Sequence, residues 1–106
     1  MFIQRVTVYP MPDKVRELRA LVEERTKKRN TQGQRLSMQV PVFASDVGTV
    51  VVSIFYEDLA ALEKVRHQNA TDKDWLEYIG KVNALSSETA SFELYEVVVE
   101  LPPRKS

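Results

Sequence analysis

The segment Thr49-Val50-Val51-Val52-Ser53-Ile54-Phe55-Tyr56 is apolar at odd and even positions alike. Successive residues of a strand point to opposite faces. A strand apolar on both sides is covered on both, so this segment predicts a central strand. Before it, Ser45-Asp46-Val47-Gly48 reads as a short turn. Arg35 to Ala44 reads as another strand, with Leu36, Met38, Val40 and Val42 alternating against Ser37 and Gln39. Pro41 has no amide to give a ladder, which assigns that strand to an edge. At the front, Phe2 to Tyr9 mixes β-branched and aromatic residues with Gln4, Arg5 and Thr7, a strand pattern ended by Pro10-Met11-Pro12. Between the two, Asp13 stands at an N-cap position and Val15, Leu18, Leu21 and Val22 recur at helical spacing. That helix runs to about Arg29, where Asn30-Thr31-Gln32-Gly33 stops it, Gly33 being suited to a left-handed exit.

Downstream, Asp58 caps a second helix with Leu59, Leu62 and Val65 on its inner stripe, interrupted at Asn69-Ala70. Thr71-Asp72-Lys73-Asp74 reads as a capping box, the Thr71 hydroxyl and the Asp74 carboxylate each meeting an orphan amide. The helix it opens carries Trp75, Tyr78, Ile79, Val82 and Leu85 on one side. Ala90 to Leu101 is the last strand, and residues 102–106 form a polar tail. The order predicts an α+β, ferredoxin-like βαββαβ domain over residues 1–101, an antiparallel four-stranded sheet with its helices on one face.

Composition narrows the partners. Fifteen basic and fifteen acidic residues cancel, which removes the bulk attraction that nucleic-acid binders show. RNA-recognition domains share the βαββαβ order, but Thr49 to Tyr56 lacks their glycine-and-aromatic stacking signature, so no nucleic-acid partner is expected. The chain has no cysteine, which excludes disulfides, thiolate metal sites and cysteine nucleophiles. No stretch approaches the roughly 20 apolar residues of a membrane span. Met1-Phe2-Ile3-Gln4-Arg5 has no basic-then-apolar leader pattern, and the expected setting is cytoplasmic.

A sheet with helices on one face leaves the other to water or to a partner, and a solvated face calls for clean alternation. Here Ile3 and Tyr9 oppose Val6 and Val8. Val51 and Phe55 oppose Val50, Val52 and Ile54, and Tyr95, Val97, Val99 and Leu101 oppose Phe92, Leu94 and Val98. One set packs on the helices; the other leaves apolar surface that a monomer does not ordinarily expose. The expectation is a homodimer through the sheet face, with Val51, Phe55, Tyr95, Val97 and Val99 buried in it. The alternative cover is the C-terminal tail.

Phe55-Tyr56-Glu57-Asp58-Leu59, Asp74-Trp75-Leu76-Glu77-Tyr78, Lys81-Val82 and Leu94-Tyr95-Glu96 together resemble the C-terminal half of NIPSNAP-like members of the dimeric α/β-barrel superfamily. Arg5-Val6-Thr7-Val8-Tyr9-Pro10 is similar to that family's opening strand and proline turn, with Pro10-Met11-Pro12 where the family has Pro-Gly. The resemblance covers nearly the whole chain. It implies the fold and a homodimer, and it leaves activity open, since the superfamily hosts oxygenases, haem-degrading enzymes and isomerases.

Candidate ligand-binding residues are Arg5, Tyr9, Tyr56, His67 and Trp75. Arg5 lies in a central strand, where it binds an anion, pairs with Glu96 on the last strand, or faces solvent. His67, the one histidine, is a general base or haem ligand at a pocket mouth, or a solvated residue at a helix end. Trp75 is a hydrophobic staple on Ala70, or an aromatic wall shared with Tyr9, Tyr56 and Tyr78. Arg25, Lys27, Lys28, Arg29 and Arg35 are read as complementing the first helix dipole. A single histidine without companion spacing predicts no metal. In the resembled haem-degrading branch an asparagine in the first strand and a histidine after the tryptophan do the work. Gln4, Arg5 and Thr7 stand in this first strand and His67 precedes Trp75, so no haem and no other cofactor is expected. No catalytic residue is assigned. The functional expectation is a NIPSNAP-like dimer binding a small apolar or aromatic molecule between sheet and helices. The alternative is a cofactor-free monooxygenase or isomerase of the antibiotic-biosynthesis-monooxygenase type.

Overall fold

A computed structural model of the chain describes residues 1–42, 48–100 and 102. Its elements are β1 (Phe2–Pro10), α1 (Val15–Thr31), β2 (Arg35–Gln39), β3 (Val50–Tyr56), α2 (Leu59–Thr71), α3 (Lys73–Leu85) and β4 (Ser86–Glu96). This is the expected βαββαβ order, with the second helical crossing split in two. The antiparallel sheet runs β2-β3-β1-β4, so β3 is central and β2 is an edge, as the two-sided apolar run and Pro41 predicted.

Register assigns every strand residue a face. Across the sheet from β2 to β4, Leu36, Ile54, Gln4 and Leu94 form one row, and Met38, Val52, Val6 and Phe92 the next on the same side. Val50 and Val52 meet Leu18 and Val22 of α1 there, and Val8 and Val82 complete the buried core. α3 adds Val82 to that core, while α2 buries only Leu62 among the described residues. The coverage stops short of β4: Phe92 and Leu94 face the helix side yet stay 64% and 50% exposed.

Several boundaries differ from the sequence reading. α1 starts after Lys14, not Asp13, and no side chain caps it; the Lys14 amide donates to the Met11 carbonyl at 2.8 Å, a turn that sets the helix start one residue later. The helix runs on through Asn30 and Thr31, past the expected end near Arg29, and Gly33 takes the expected left-handed conformation at φ +89°. β2 stops at Gln39, ahead of Pro41, which cannot continue the ladder. Phe43, Ala44 and the expected turn at 45–47 lie outside the described residues. α2 does not break at Asn69-Ala70 but continues through Thr71.

Asp72 is the sole residue between the two helices. Its Oδ1 accepts from the Asp74 and Trp75 amides at 3.0 and 3.4 Å, so it replaces the expected Thr71–Asp74 box. Trp75 is thereby the third residue of α3. β4 begins at Ser86, directly on α3, and ends at Glu96. Val97 gives one last amide to the Met1 carbonyl at 2.9 Å, and Val99 is 84% exposed beyond it. The expected strand residues Val97 and Val99 are therefore outside β4, and Leu101 is outside the described residues.

Leu18→Ala should lower unfolding stability by about 3 kcal/mol, because the side chain is fully buried at the centre of the core. Leu59→Ala, on the exposed side of α2, should stay within about 0.5 kcal/mol. Urea denaturation of both variants against the parent checks the pair.

Candidate functional site

On the side away from the helices, the sheet carries three rows. Arg35, Phe55, Ile3 and Tyr95 form the first, Ser37, Ser53, Arg5 and Glu93 the second, and Gln39, Val51, Thr7 and Ser91 the third. The face expected to carry several large apolar groups is thus crossed by a polar stripe. The stripe exists because β1 and β3 place Arg5 and Ser53 opposite each other in the middle of otherwise apolar strands. Arg5, Thr7, Tyr9, Val51, Ser53 and Glu93 are among the residues that line an open depression of about 650 Å³ on this face.

Most polar groups here satisfy one another. Tyr9 Oη and Ser91 Oγ are 2.7 Å apart. Ser53 Oγ donates to Gln39 Oε1 at 3.2 Å, and Gln39 Nε2 donates to Ser37 Oγ at 2.6 Å. Arg5 is exposed, with its guanidinium 5.5 Å from the Tyr95 ring centre, and it makes no ion pair among the described residues. The expected partner Glu96 is opposite Phe2 on the other side of the sheet; Glu93 is the acid opposite Arg5. Glu93 Oε2 accepts instead from Tyr95 Oη at 2.5 Å, a bond that raises the Tyr95 phenol above its usual range.

A second cluster lies on the helix side, where α1 ends and α2 meets α3. Arg29 is 8% exposed. Its guanidinium is 4.9 Å from the Trp75 ring centre, donates to Asn69 Oδ1 at 3.2 Å and stands 3.9 Å from Asp72 Oδ2. Trp75 leans on Tyr78 at 5.3 Å between centroids, and Arg25 lies 4.7 Å over Tyr78. Tyr56, buried at the end of β3, donates to Gln4 Oε1 at 3.5 Å. Burial pushes the Tyr56 and Tyr78 phenols above their usual range, while Arg29, near both, pulls the other way, with Arg25 adding to its effect on Tyr78.

The five candidate ligand residues thus do not converge. Arg5 and Tyr9 share the depression, Tyr56 and Trp75 share the Arg29 cluster, and His67 is exposed on α2. Of the candidate interface residues, Val51, Phe55 and Tyr95 are on the open face and Val97 and Val99 follow its last strand. Arg29 is buried rather than a solvated cation at the helix end: Leu18, Val22, Thr26 and Arg29 keep helical spacing and so share the buried stripe. Among the described residues no group of three or more His, Asp or Glu side chains is placed to hold a metal, and no helix is long and apolar enough to cross a membrane.

Comparison with known proteins agrees with this geometry. Residues 9–97 match the family model for NIPSNAP. A NIPSNAP domain protein from Burkholderia xenovorans superposes with a TM-score of 0.79 at 17% identity, over 97% of this chain and 100% of that one. A NIPSNAP family protein from Agrobacterium tumefaciens gives 0.78 at 17% identity, over 97% and 98%. A protein from Deinococcus radiodurans described as a putative antibiotic biosynthesis monooxygenase gives 0.75 at 15% identity, over 99% and 100%. No curated protein matches the sequence.

Tyr56 and Tyr78 keep their protons in the folded chain above the ordinary phenol value of 10.0. Above that pH the unfolded chain ionises first, so stability present at neutral pH falls as pH rises. Tyr56→Phe should flatten the loss, as read from denaturation midpoints across alkaline pH; an unchanged slope would contradict it.

Proposed function

The chain belongs to the NIPSNAP family, and from that premise we propose that it works as a cytoplasmic homodimer, closed through the open face of its sheet, that binds a small apolar or aromatic molecule between sheet and helices. The observation that carries this reading is apolar ground left uncovered on both faces of one sheet. On the open face it is the row of Phe55, Ile3 and Tyr95, with Val51 four residues from Phe55 along β3. Closing that face against a second copy removes it from water, at about 25 cal/mol per Å². On the helix side it is Phe92 and Leu94, which flank Val6 and Gln4 in register. A ligand laid on those two side chains meets a polar end at Gln4 and the Tyr56 hydroxyl, the mostly apolar lining with few polar anchors that small-molecule sites have.

A second reading is a cofactor-free monooxygenase or isomerase. It draws on neighbours described as antibiotic biosynthesis monooxygenases and on Tyr56, whose burial keeps it a neutral O–H donor beside that shelf. In this reading Tyr56 would steer a substrate oxygen.

Light scattering at micromolar concentration should give a dimer mass, and Val51→Lys should convert it to monomer with its circular dichroism retained. A dimer indifferent to Val51→Lys would refute the open-face contact. For the ligand, small aromatic compounds should raise the melting temperature of the parent and not of Phe92→Asp. Equal shifts in both would remove the shelf as the site. Oxygen uptake with dihydroxyaromatic compounds, lost in Tyr56→Phe, would favour the enzyme reading.

A further inference from the structure

Among the described residues, Arg5 and Glu93 are the charged ones lining the depression, and they face each other across β1 and β4 without pairing. Tyr95 stands between them: its ring lies beside the guanidinium and its hydroxyl bonds the carboxylate. The neighbouring polar side chains are already matched, Tyr9 with Ser91 and Ser53 with Gln39. Among the described residues lining the depression, the charges without an ion pair are therefore one cation and one anion on adjacent strands, about 5 Å apart across the ladder. Arg35 stands on the edge strand over Phe55, and Glu88 opposite Tyr9 near the other edge; neither lines the depression.

Face-to-face closure takes both charges out of water, which is costly unless each finds a counter-charge. In a two-fold interface, residue i of one copy meets residue j of the other and the reverse holds too. A two-fold that lays β1 over the partner's β4 brings Arg5 onto the partner's Glu93 twice over. We propose that Arg5 of each copy pairs with Glu93 of the partner subunit, so that this polar stripe sets the register of the dimer and the depression is complete only when two copies close over it. The inference rests on the open-face dimer proposed above.

Reciprocal charge reversal tests it. R5E and E93R should each weaken self-association about tenfold or more, because each sets like charges opposite one another twice. An equimolar mixture of R5E and E93R should recover a dimer containing one copy of each, read by native mass spectrometry. The double variant R5E/E93R should dimerise with itself, which keeps the test decisive if a single variant folds poorly. A parent that is monomeric sinks the open-face dimer and this pairing with it. A dimeric parent whose single variants dimerise as well, or whose mixture and double variant fail to recover, overturns the pairing alone.

Discussion

Leu18 and Val22 of α1 lie against Val8, Val50 and Val52, and that contact determines which side of the sheet is inside. Once β3 has chosen a face, the period of two in every strand assigns the rest through the ladder. Val51, Ser53 and Phe55 are turned away from the helices because Val50 and Val52 are turned toward them. Arg5, Thr7 and Tyr9 follow by register. A one-residue slip of β1 would bring Arg5 into the core, where the guanidinium would have to be paired or lose much of its hydration energy. The central contact and the polar stripe therefore enforce the same register from opposite sides.

Arg29 occupies the far end of the same α1 stripe, where continued periodicity calls for an apolar residue. A guanidinium is suited to the position because its planar face stacks on Trp75 while its edge donates to Asn69 and approaches Asp72. The last turn of α2 presents carbonyl oxygens, so a cation there also meets the negative end of that helix. Asp72 receives two amides of α3 and faces Arg29 from the opposite side. The joint between α2 and α3 is thus held by polar contacts, while α1 is held on the sheet by the apolar side chains of Leu18 and Val22.

The architecture was legible in the residues, chiefly because β1 and β3 have patterns that no other arrangement accommodates. The two-sided run at Val50–Tyr56 fits its central position, and β2 is the expected edge strand, although Pro41 lies past its end at Gln39 rather than within it. What was not legible depended on neighbours. Thr71 and Asp72 are both good capping residues, and which one caps is decided by how far α2 propagates toward Arg29. Phe92 and Leu94 have the alternation of buried strand residues, but burial also needs a helix overhead, and α3 runs straight into β4 without lying over that part of it. Strand parity gives relative faces only and so allows Arg5 two orientations; the α1 contact supplies the absolute one. The candidate ligand residues were chosen by type, and the fold distributes them over both sides of the sheet.

Among the described residues no further strand pairs with β2 or β4, and such a margin is a template for strand addition. β4 carries Glu88, Glu93 and Glu96 along its length, and β2 is only Arg35–Gln39 long, ending just before Pro41. Charge on one margin and brevity on the other discourage the edge-to-edge stacking that leads to fibres. Strand addition is thereby discouraged at both margins, which leaves the broad face as the surface through which the proposed dimer would close.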